Sequence, residues 1–430
     1  MDQTYNLVEF FSGIGSQARA LENLNVKINT LGTCEWDIHA FVAYDAIHNS
    51  PKPDSEIAVM EKPEILEILS RYNLSNDGKN PMDYSSLKTY SVEVLRLILS
   101  GIRRSNNFVD ISSLNGNEMP DGIDILTYSF PCQDLSNVGA FHGYNKGIDK
   151  GSNSRSSLLW QVGRILQEMR NSQKQLPRFL LMENVPALLA KRHRPNFEIW
   201  IGDLENLGYE SAYYELNASD FGLPQNRPRL LMLSVFCGDD ESLHQKIREY
   251  FCKIDKSHII ESYRKSEHYK PETIGDLLRM DYSNRKLFEE AVECTPNDTE
   301  SRRKIWEENP QLVLEGNKIN PYYNVIRTIT TKQDRNPNSG NIYFESGIAG
   351  RGKFRYLTPR ECLLFMGFND KDFRQIKKAN VQYHKRNYLF SRDKIIRMAG
   401  NSIPVKLLEG MFWLLLETDR FIEGYKDGCT

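Results

Sequence analysis

The sequence lacks long apolar runs and paired-cysteine patterns. No apolar stretch reaches the roughly 18 residues that a membrane-spanning helix needs. The N-terminal residues MDQTYNLVEFF do not have the pattern of a signal peptide. The seven cysteines are scattered and include no CxxC pair, which argues against a disulfide framework and against a structural zinc site. We therefore predict a cytoplasmic protein with no membrane partner and no bound metal.

The charge balance is also unremarkable for the whole chain, with a formal net charge of −2 over 430 residues. The distribution is more informative, because residues 351–397 hold 13 Lys or Arg against 4 Asp or Glu. Two interpretations stay open for this basic stretch. It is either a solvated basic face or a surface that contacts phosphates, since Lys and Arg on phosphates supply most sequence-independent affinity for DNA.

Short apolar runs alternate with helical patterns in the first half of the chain, which is typical of βαβ units. The residues from Ser156 to Met169 place their apolar side chains on one helical face. The sequence therefore predicts an α/β fold with a mostly parallel sheet. The predicted strands are Leu7–Phe11, Ile123–Tyr128, Phe179–Met182 and Leu230–Phe236.

The pattern divides the chain into three segments. Residues 1–236 carry the regular alternation, interrupted by a charged insertion at about 50–107 with two predicted helices, Pro63–Tyr72 and Val92–Arg103. Residues 237–391 lose the alternation and read as a smaller, irregular domain. Residues 392–430 become regular again, and we expect them to return to the first domain.

A glycine-containing turn follows the first predicted strand, at SGIGS (12–16). Such a turn before a helix allows a ligand to approach the backbone and presents free N–H groups. Glu35 follows about 20 residues later and suits a ribose diol. Trp36 is either an adenine platform or core filler, and Asp110 offers a carboxylate to an adenine amine. Together they predict a site for a nucleoside-bearing cofactor.

Chemically active side chains follow the later strands. Cys132 comes directly after a buried strand, Glu183 ends another, and Arg227 and Arg229 stand just before a third. We expect all four at the carboxyl edge of the sheet, where open α/β folds bind ligands. A thiol, a carboxylic acid and arginines suit covalent catalysis on a ring that must be made nucleophilic.

The order of these motifs resembles that of the bacterial C5-cytosine DNA methyltransferases over nearly the whole chain. The matching stretches are FFSGIG, EWD, VDI, SFPCQDLS, SRSSLLW, MENV, QNRPR, RYLTPREC and GNSIPV. The wording of GIGSQ, TYSFPCQDLS and GIDK is also similar to small CpG-methylating bacterial enzymes. Ser16 departs from the family's usual glycine, and the insertion at 50–107 is longer than is typical.

The resemblance implies a Rossmann-like methyltransferase domain, S-adenosylmethionine as cofactor and S-adenosylhomocysteine as product. It assigns the nucleophile to Cys132, the donor to cytosine N3 to Glu183, and the grip on the cytosine and its phosphate to Arg227 and Arg229. It implies cofactor contacts at Phe11, Gly13, Ile14, Gly15, Glu35, Trp36, Asp110, Ile111, Pro131, Leu158, Asn401 and Ser402.

The expected partner is double-stranded DNA, with the target cytosine flipped out of the helix, as the chemistry requires. The resemblance places DNA contacts at Gln133, Ser136, Lys146 and Arg155. Residues 327–341 are either a solvated surface loop or the segment that reads the DNA sequence, and we favour the second because their side chains match base edges. We call them the reading segment. Its predicted DNA contacts are Lys332, Gln333, Arg335 and Asn336. We expect a monomer, with a cognate restriction endonuclease as a candidate partner acting on the same site.

Two alternatives of different classes remain. One branch of the same family methylates cytosine in transfer RNA, but it has a compact small domain, whereas about 118 residues separate Phe236 from Arg355 here. A catalytically inactive DNA-binding regulator would have lost the nucleophile or the acid, and this sequence keeps Cys132 and Glu183. The recognition sequence itself does not follow from the residues.

Overall fold

A six-stranded sheet lies at the centre of the protein. The structure is a computed structural model and describes residues 3–49, 54–131, 148, 155–334, 339–384 and 387–428. Strand order is β2-β1-β3-β4-β7-β5, with β1 at Thr4–Phe10, β2 at Lys27–Cys34, β3 at Ile125–Tyr128, β4 at Phe179–Asn184, β5 at Tyr209–Asn217 and β7 at Pro228–Phe236. Strands β1 to β4 pair in parallel, and β7 is antiparallel to both neighbours. The predicted mostly parallel α/β sheet is confirmed.

Both faces of this sheet are covered, because its central strands alternate between two apolar clusters. Leu7 and Leu181 belong to one cluster, whereas Val8 and Met182 belong to the other. A sheet buried on both faces requires strands that are apolar throughout. This explains why the strands read as continuous apolar runs in the sequence.

Helices fill the two layers. Among the described residues up to 236, the helices are α1 Ser16–Asn23, α2 Ile38–His48, α3 Ser55–Val59, α4 Lys62–Leu69, α5 Tyr84–Lys88, α6 Val92–Arg104, α7 Leu159–Asn171 and α8 Arg194–Asn206. Helices α7 and α8 bury their apolar sides in the cluster of Val8, and α1, α2 and α6 in the other. The predicted helix beginning at Ser156 is confirmed, with the short 3₁₀ turn Arg155–Leu158 before α7.

The insertion is a small helical layer packed on α2. Its two predicted helices are confirmed as α4 and α6, and α3 and α5 were not predicted. Aspartates cap both of these short helices, since Asp54 accepts from Glu56 N–H and Ile57 N–H, and Asp83 accepts from Ser86 N–H. Such N-cap residues satisfy the free N–H groups of a first turn.

The second half has little regular sheet. Its helices are α9 Glu241–Phe251, α10 Lys256–Lys265, α11 Ile274–Leu277, α12 Arg285–Glu293, α13 Glu300–Glu308, α14 Pro359–Leu364, α15 Asp370–Lys378, α16 Arg392–Asn401 and α17 Val405–Gly428. Its strands are β8 Gln311–Leu314, β9 Lys318–Ile319, β10 Ile326–Arg327, β11 Asn341–Tyr343, β12 Phe354–Arg355, β13 Gln382–His384 and β14 Asn387–Tyr388. Strand β10 pairs in parallel with β6, Gln225–Asn226.

The long helix α17 lies beside α1 and fixes the chain end to the first strands. The Tyr5 hydroxyl donates to Asp419 over 2.6 Å, Arg178 pairs with the same carboxylate, and Asn23 donates to Glu409. Helices α9 and α10 also pack on the first 236 residues, against β5. Where a separate small domain begins stays a prediction.

Candidate active site

The carboxyl edge of the sheet brings Glu183 and Arg229 together. Glu183 is the last residue but one of strand β4. Arg229 is the second residue of β7, which is antiparallel to β4. Arg229 Nε lies 2.8 Å from Glu183 Oε1, and each side chain is only 12% exposed. The pair therefore stands at one edge, mostly shielded from water, as the sequence predicted for these two residues.

Burial favours the protonated form of Glu183. Desolvation raises the pKa of Glu183 above the ordinary value for a glutamic acid, although Arg229 and Arg227 act in the opposite direction. A carboxylic acid that keeps its proton near neutral pH is able to donate a hydrogen bond to a ring nitrogen. The environment thus suits an acid rather than a permanent carboxylate.

The chain just before Cys132 is held at two successive carbonyls. Asn184 Nδ2 donates to Phe130 O over 3.0 Å, and Ser156 Oγ donates to Pro131 O over 2.6 Å. Asn184 is buried and follows Glu183 directly. Cys132, the predicted nucleophile, lies outside the described residues. The positioning roles of Asn184 and Ser156 were missed from the sequence, although both residues lie within matching motif stretches.

The guanidinium of Arg227 is occupied by main-chain carbonyls. It donates to Ile329 O over 2.7 Å and to Gly400 O and Ser402 O over 2.8 Å each, and the residue is 2% exposed. As placed here, it cannot reach a base or a phosphate without breaking these bonds. These contacts give Arg227 a positioning role in this structure, and the grip on the cytosine or its phosphate stays a prediction.

Gln225 reinforces the same junction. Its amide donates to Phe365 O over 2.7 Å and accepts from Ile329 N–H over 3.0 Å. Gly400 packs so closely on this segment that a Cβ there would lie 2.6 Å from Thr330 C. Ile329 and Thr330 of the reading segment thus contact both residues 225–227, which precede β7, and Gly400 in the last turn of α16.

The two glycines in the turn after β1, Gly13 and Gly15, have different surroundings. Both adopt positive φ, 56° at Gly13 and 82° at Gly15. A Cβ on Gly15 would come within 2.2 Å of His48 Nε2, whereas nothing lies within 4 Å of a Cβ on Gly13. Gly15 is thus required by packing against α2, whereas a Cβ on Gly13 would face open space.

Glu35 ties the end of β2 to this turn. Its carboxylate accepts from Gly13 N–H over 3.1 Å and from Asp37 N–H over 2.9 Å. Burial and the nearby Asp37 raise the pKa of Glu35 to about 7, against the effect of these N–H donors. A hydroxyl that donates to Glu35 would offset the cost of keeping it charged there.

The backbone just before Asp110 is tied to Glu35 by Asn107, a buried asparagine whose role was not predicted from the sequence. The amide of Asn107 accepts from Glu35 N–H and Val109 N–H, each over 3.0 Å, and donates to Glu35 O over 2.9 Å. Val109 has a φ of 66°, which is costly for a β-branched residue and is typical of functional sites. No sequence pattern predicts the positive φ at Val109.

The other predicted cofactor residues fall in three groups. Ile14 and Ile111 have buried side chains within the two apolar clusters. Phe11, Trp36, Pro131, Leu158 and Ser402 are half-buried, and Asn401 is exposed at the end of α16. Trp36 also packs on the apolar cluster of Leu7, so its two interpretations both stay open.

The reading segment is partly closed on itself. Gln333 is 2% exposed, donates to Thr330 O over 3.2 Å and accepts from the Ser339 hydroxyl. A base contact from Gln333 would require these bonds to open, whereas Lys332 is exposed. Of the other predicted DNA contacts, Arg155 begins the 3₁₀ turn before α7. Gln133, Ser136, Lys146, Arg335 and Asn336 lie outside the described residues.

Much of the basic stretch 351–397 is neutralised within the protein. Its arginines pair with acidic residues, as in Arg355 with Glu361, Arg360 with Glu290 and Arg397 with Asp37. The exposed charge is concentrated on α15, at Lys371, Arg374, Lys377 and Lys378. Among the described residues of this stretch, these four cations on one helix are suited to the phosphate-contacting interpretation.

Within the described part of the chain, no group of three or more His, Cys, Asp or Glu side chains is arranged to hold a metal ion. No helix among those residues is long and apolar enough to cross a membrane.

The chain is similar to known DNA methyltransferases over most of its length. Residues 79–413 match the family described as C-5 cytosine-specific DNA methylase. The chain is 30% identical over 407 residues to the orphan methyltransferase M.SssI of Spiroplasma monobiae, covering 94% of this chain and 95% of that protein. It is 28% identical over 410 residues to the type II methyltransferase M2.ScrFI of Lactococcus lactis subsp. cremoris, covering 94% and 97%.

Solved structures agree on the fold. The Dnmt2 methyltransferase of S. pombe superposes with a TM-score of 0.56 at 17% identity, over 97% of this chain and 99% of that one. At this identity the likeness speaks for the fold alone.

Proposed function

The chain belongs to the C-5 cytosine-specific DNA methylase family, and from this premise we propose that Cys132 and Glu183 carry the methylation of cytosine C5 in duplex DNA. The enzyme is a DNA (cytosine-5)-methyltransferase of the bacterial type, and its family depends on S-adenosylmethionine. The observation that carries the proposed roles is the shielded Glu183–Arg229 pair, beside the chain that leads into Cys132.

Cytosine C5 is a weak nucleophile until the ring is activated. Addition of the Cys132 thiolate to C6 breaks the C5–C6 double bond and moves its electron pair to C5 and N3. Protonated Glu183 offsets the charge at N3 by donating its proton there. Its raised pKa supports this role, because a glutamic acid with an ordinary pKa would be ionised at neutral pH.

Arg229 supports the acid and the base-binding pocket. Its guanidinium keeps Glu183 in one orientation through the 2.8 Å contact. Its remaining donors are suited to cytosine O2 or the flanking phosphate. After C5 has accepted the methyl group, loss of the C5 proton to a base, departure of the thiolate from C6 and return of the N3 proton to Glu183 restore the aromatic ring. Because the ring must be attacked from its face, the cytosine has to leave the helix.

The residues at the edge formed by β1, β2 and the turn 109–111 fit an adenosyl group. Glu35 and Asp110 are acceptors for ribose hydroxyls and the adenine amine, and Gly13 leaves open space beside them. When bound there, S-adenosylmethionine supplies the methyl group. Asn401 and Ser402, at the end of α16, are proposed to close this site.

The partners follow from the same chemistry. Duplex DNA is the proposed substrate, with the target sequence read by residues 327–341 and phosphates contacted by the exposed cations of α15. A restriction endonuclease acting on the same site is a proposed partner, as the type II relatives suggest. We propose that the enzyme acts as a monomer in the cytoplasm.

Methyl transfer from labelled S-adenosylmethionine to duplex DNA and to transfer RNA tests this function. The expected product is 5-methyl-2′-deoxycytidine, identified by mass spectrometry after nuclease digestion, with transfer RNA unlabelled. Glu183→Gln is the matched variant, and it should lose most of the activity on DNA. Label on RNA, or a methyl group on cytosine N4, would overturn the proposal.

A further inference from the structure

A loop of the insertion, residues 73–80, pairs with the chain that carries Glu35 and Trp36. Ser75 N–H donates to Trp36 O over 2.8 Å, and Ile38 N–H donates to Ser75 O over 2.9 Å. Ser75 and Asp37 form a parallel bridge. The insertion therefore reaches the predicted cofactor pocket through backbone hydrogen bonds and does not merely cover α2.

At the start of this loop, the Asn73 side chain meets Asp110. Asn73 Nδ2 donates to Asp110 Oδ2 over 2.7 Å. The other oxygen, Asp110 Oδ1, accepts from Ser112 N–H over 2.9 Å. The carboxylate is thus fixed at both oxygens, one bond from its own turn and one from the insertion.

Fixing a carboxylate at both oxygens leaves part of its accepting capacity free. An ionised carboxylate has about four lone-pair sites, and these two bonds use two of them. The free sites can accept from an exocyclic amine, which adenine carries at C6. A purine with a carbonyl at C6 would instead direct an acceptor at the same carboxylate, so a rigid Asp110 should select between the two.

We propose that Asn73 is a positioning residue for the cofactor, which orients Asp110 so that the site discriminates an adenosyl group from its 6-oxo counterpart. This gives the insertion a role in cofactor selectivity. The inference rests on the proposed function, because it takes Asp110 as the acceptor for the adenine amine.

The loop does not depend on Asn73 for its own placement. Asn73 is exposed, whereas the next residues, Leu74 and Ser75, are buried at 2% and 0% exposure. Leu74 packs in the apolar cluster and Ser75 pairs with the backbone at Trp36. Replacing Asn73 therefore removes its contact with Asp110 while the loop stays anchored.

Calorimetric binding of S-adenosylhomocysteine and S-inosylhomocysteine tests the proposal, because they differ at C6 of the purine. Asn73→Ala should weaken the adenosyl compound by about three- to tenfold, the size expected for one hydrogen bond, and leave the inosyl compound unchanged. The ratio of the two affinities should therefore fall. The control is Asn29→Ala. Asn29 is an exposed asparagine on β2 whose side chain donates to Asn6 Oδ1, and its replacement should leave the ratio unchanged.

Asp110→Ala separates the two ways in which the idea can fail. If Asp110→Ala abolishes the preference and Asn73→Ala keeps it at the wild-type ratio, the positioning role is overturned while the proposed function stands. If Asp110→Ala itself leaves the preference intact, the adenine contact in the proposed function is wrong and the role of Asn73 falls with it.

Discussion

Arg229 Nε lies 2.8 Å from Glu183 Oε1, across two neighbouring strands that run in opposite directions. The contact depends on that direction. Glu183 ends a parallel strand, and Arg229 begins the antiparallel strand beside it, so both meet at the edge where Cys132 is expected. Were β7 parallel to β4, its first residues would lie at the far edge of the sheet.

Glu183→Gln should reduce kcat for methyl transfer by about 10²- to 10⁴-fold, the usual contribution of a general acid. The amide can still donate a hydrogen bond, but it has no proton to give to N3. Affinity for S-adenosylmethionine, measured by calorimetry, should stay within about twofold. Near-normal kcat in this variant would mean that another group protonates N3.

The pH dependence of methyl transfer should also show the role of Glu183 as an acid. Because burial raises the pKa of Glu183, the protonated and active form persists above the ordinary range of a glutamic acid. Activity should therefore be present below that raised pKa and be lost as pH rises through it. Glu183→Gln should lack this descending limb, whereas a limb retained in the variant would assign it to another group.

The sequence was sufficient for features set by local pattern. The apolar runs predicted β1, β3, β4 and β7, and the polar residues that end or precede them predicted the edge at which Glu183 and Arg229 meet. These features could be read because a doubly covered sheet imposes continuous apolar strands. The direction of β7 could not be read, since the same apolar run fits either orientation.

Long-range contacts explain what the sequence did not predict. Gln333 is polar and stands in a loop, which favoured a DNA contact, but its partners Thr330 and Ser339 bury it. The same holds for Asn73, whose partner Asp110 lies 37 residues away. Such pairings depend on how loops pack, and no local spacing encodes them.

Arg227→Lys and Arg229→Lys should separate stability from catalysis. Lysine at 227 cannot donate to three carbonyls held by a planar guanidinium, so the free energy of unfolding should fall by roughly 2–4 kcal/mol, the cost of leaving buried partners unsatisfied. Arg229→Lys should reduce kcat with little change in unfolding, since the contacts affected are those to Glu183 and to the adjacent Pro228 carbonyl. Denaturant unfolding and single-turnover rates measure both.

The opposite result would return Arg227 to the cytosine. If Arg227→Lys unfolds like the parent enzyme and instead raises the dissociation constant for DNA, its bonds to Ile329, Gly400 and Ser402 do not hold in the complex. The predicted base or phosphate contact would then be correct.

The reading segment should be tested by mapping methylated cytosines in a random duplex library. Lys332→Ala and Arg335→Ala should each relax the preference at one position, a base contact being worth roughly 1–3 kcal/mol. Gln333→Ala should loosen several positions together, because it frees the loop from Thr330 and Ser339. Lys377→Ala is the control and should weaken binding to all sequences alike. If the first three variants keep the parent preference at full rate, another segment reads the DNA.

Covalent trapping at Cys132 tests the account most directly. Duplex DNA with 5-fluorocytosine in place of cytosine cannot lose the C5 substituent after methyl transfer, so the thiol cannot leave. With S-adenosylmethionine present, the account predicts a denaturation-resistant protein–DNA adduct that peptide mapping places on Cys132 and that Cys132→Ser does not form. An adduct on any other cysteine, or one that persists in Cys132→Ser, would contradict it.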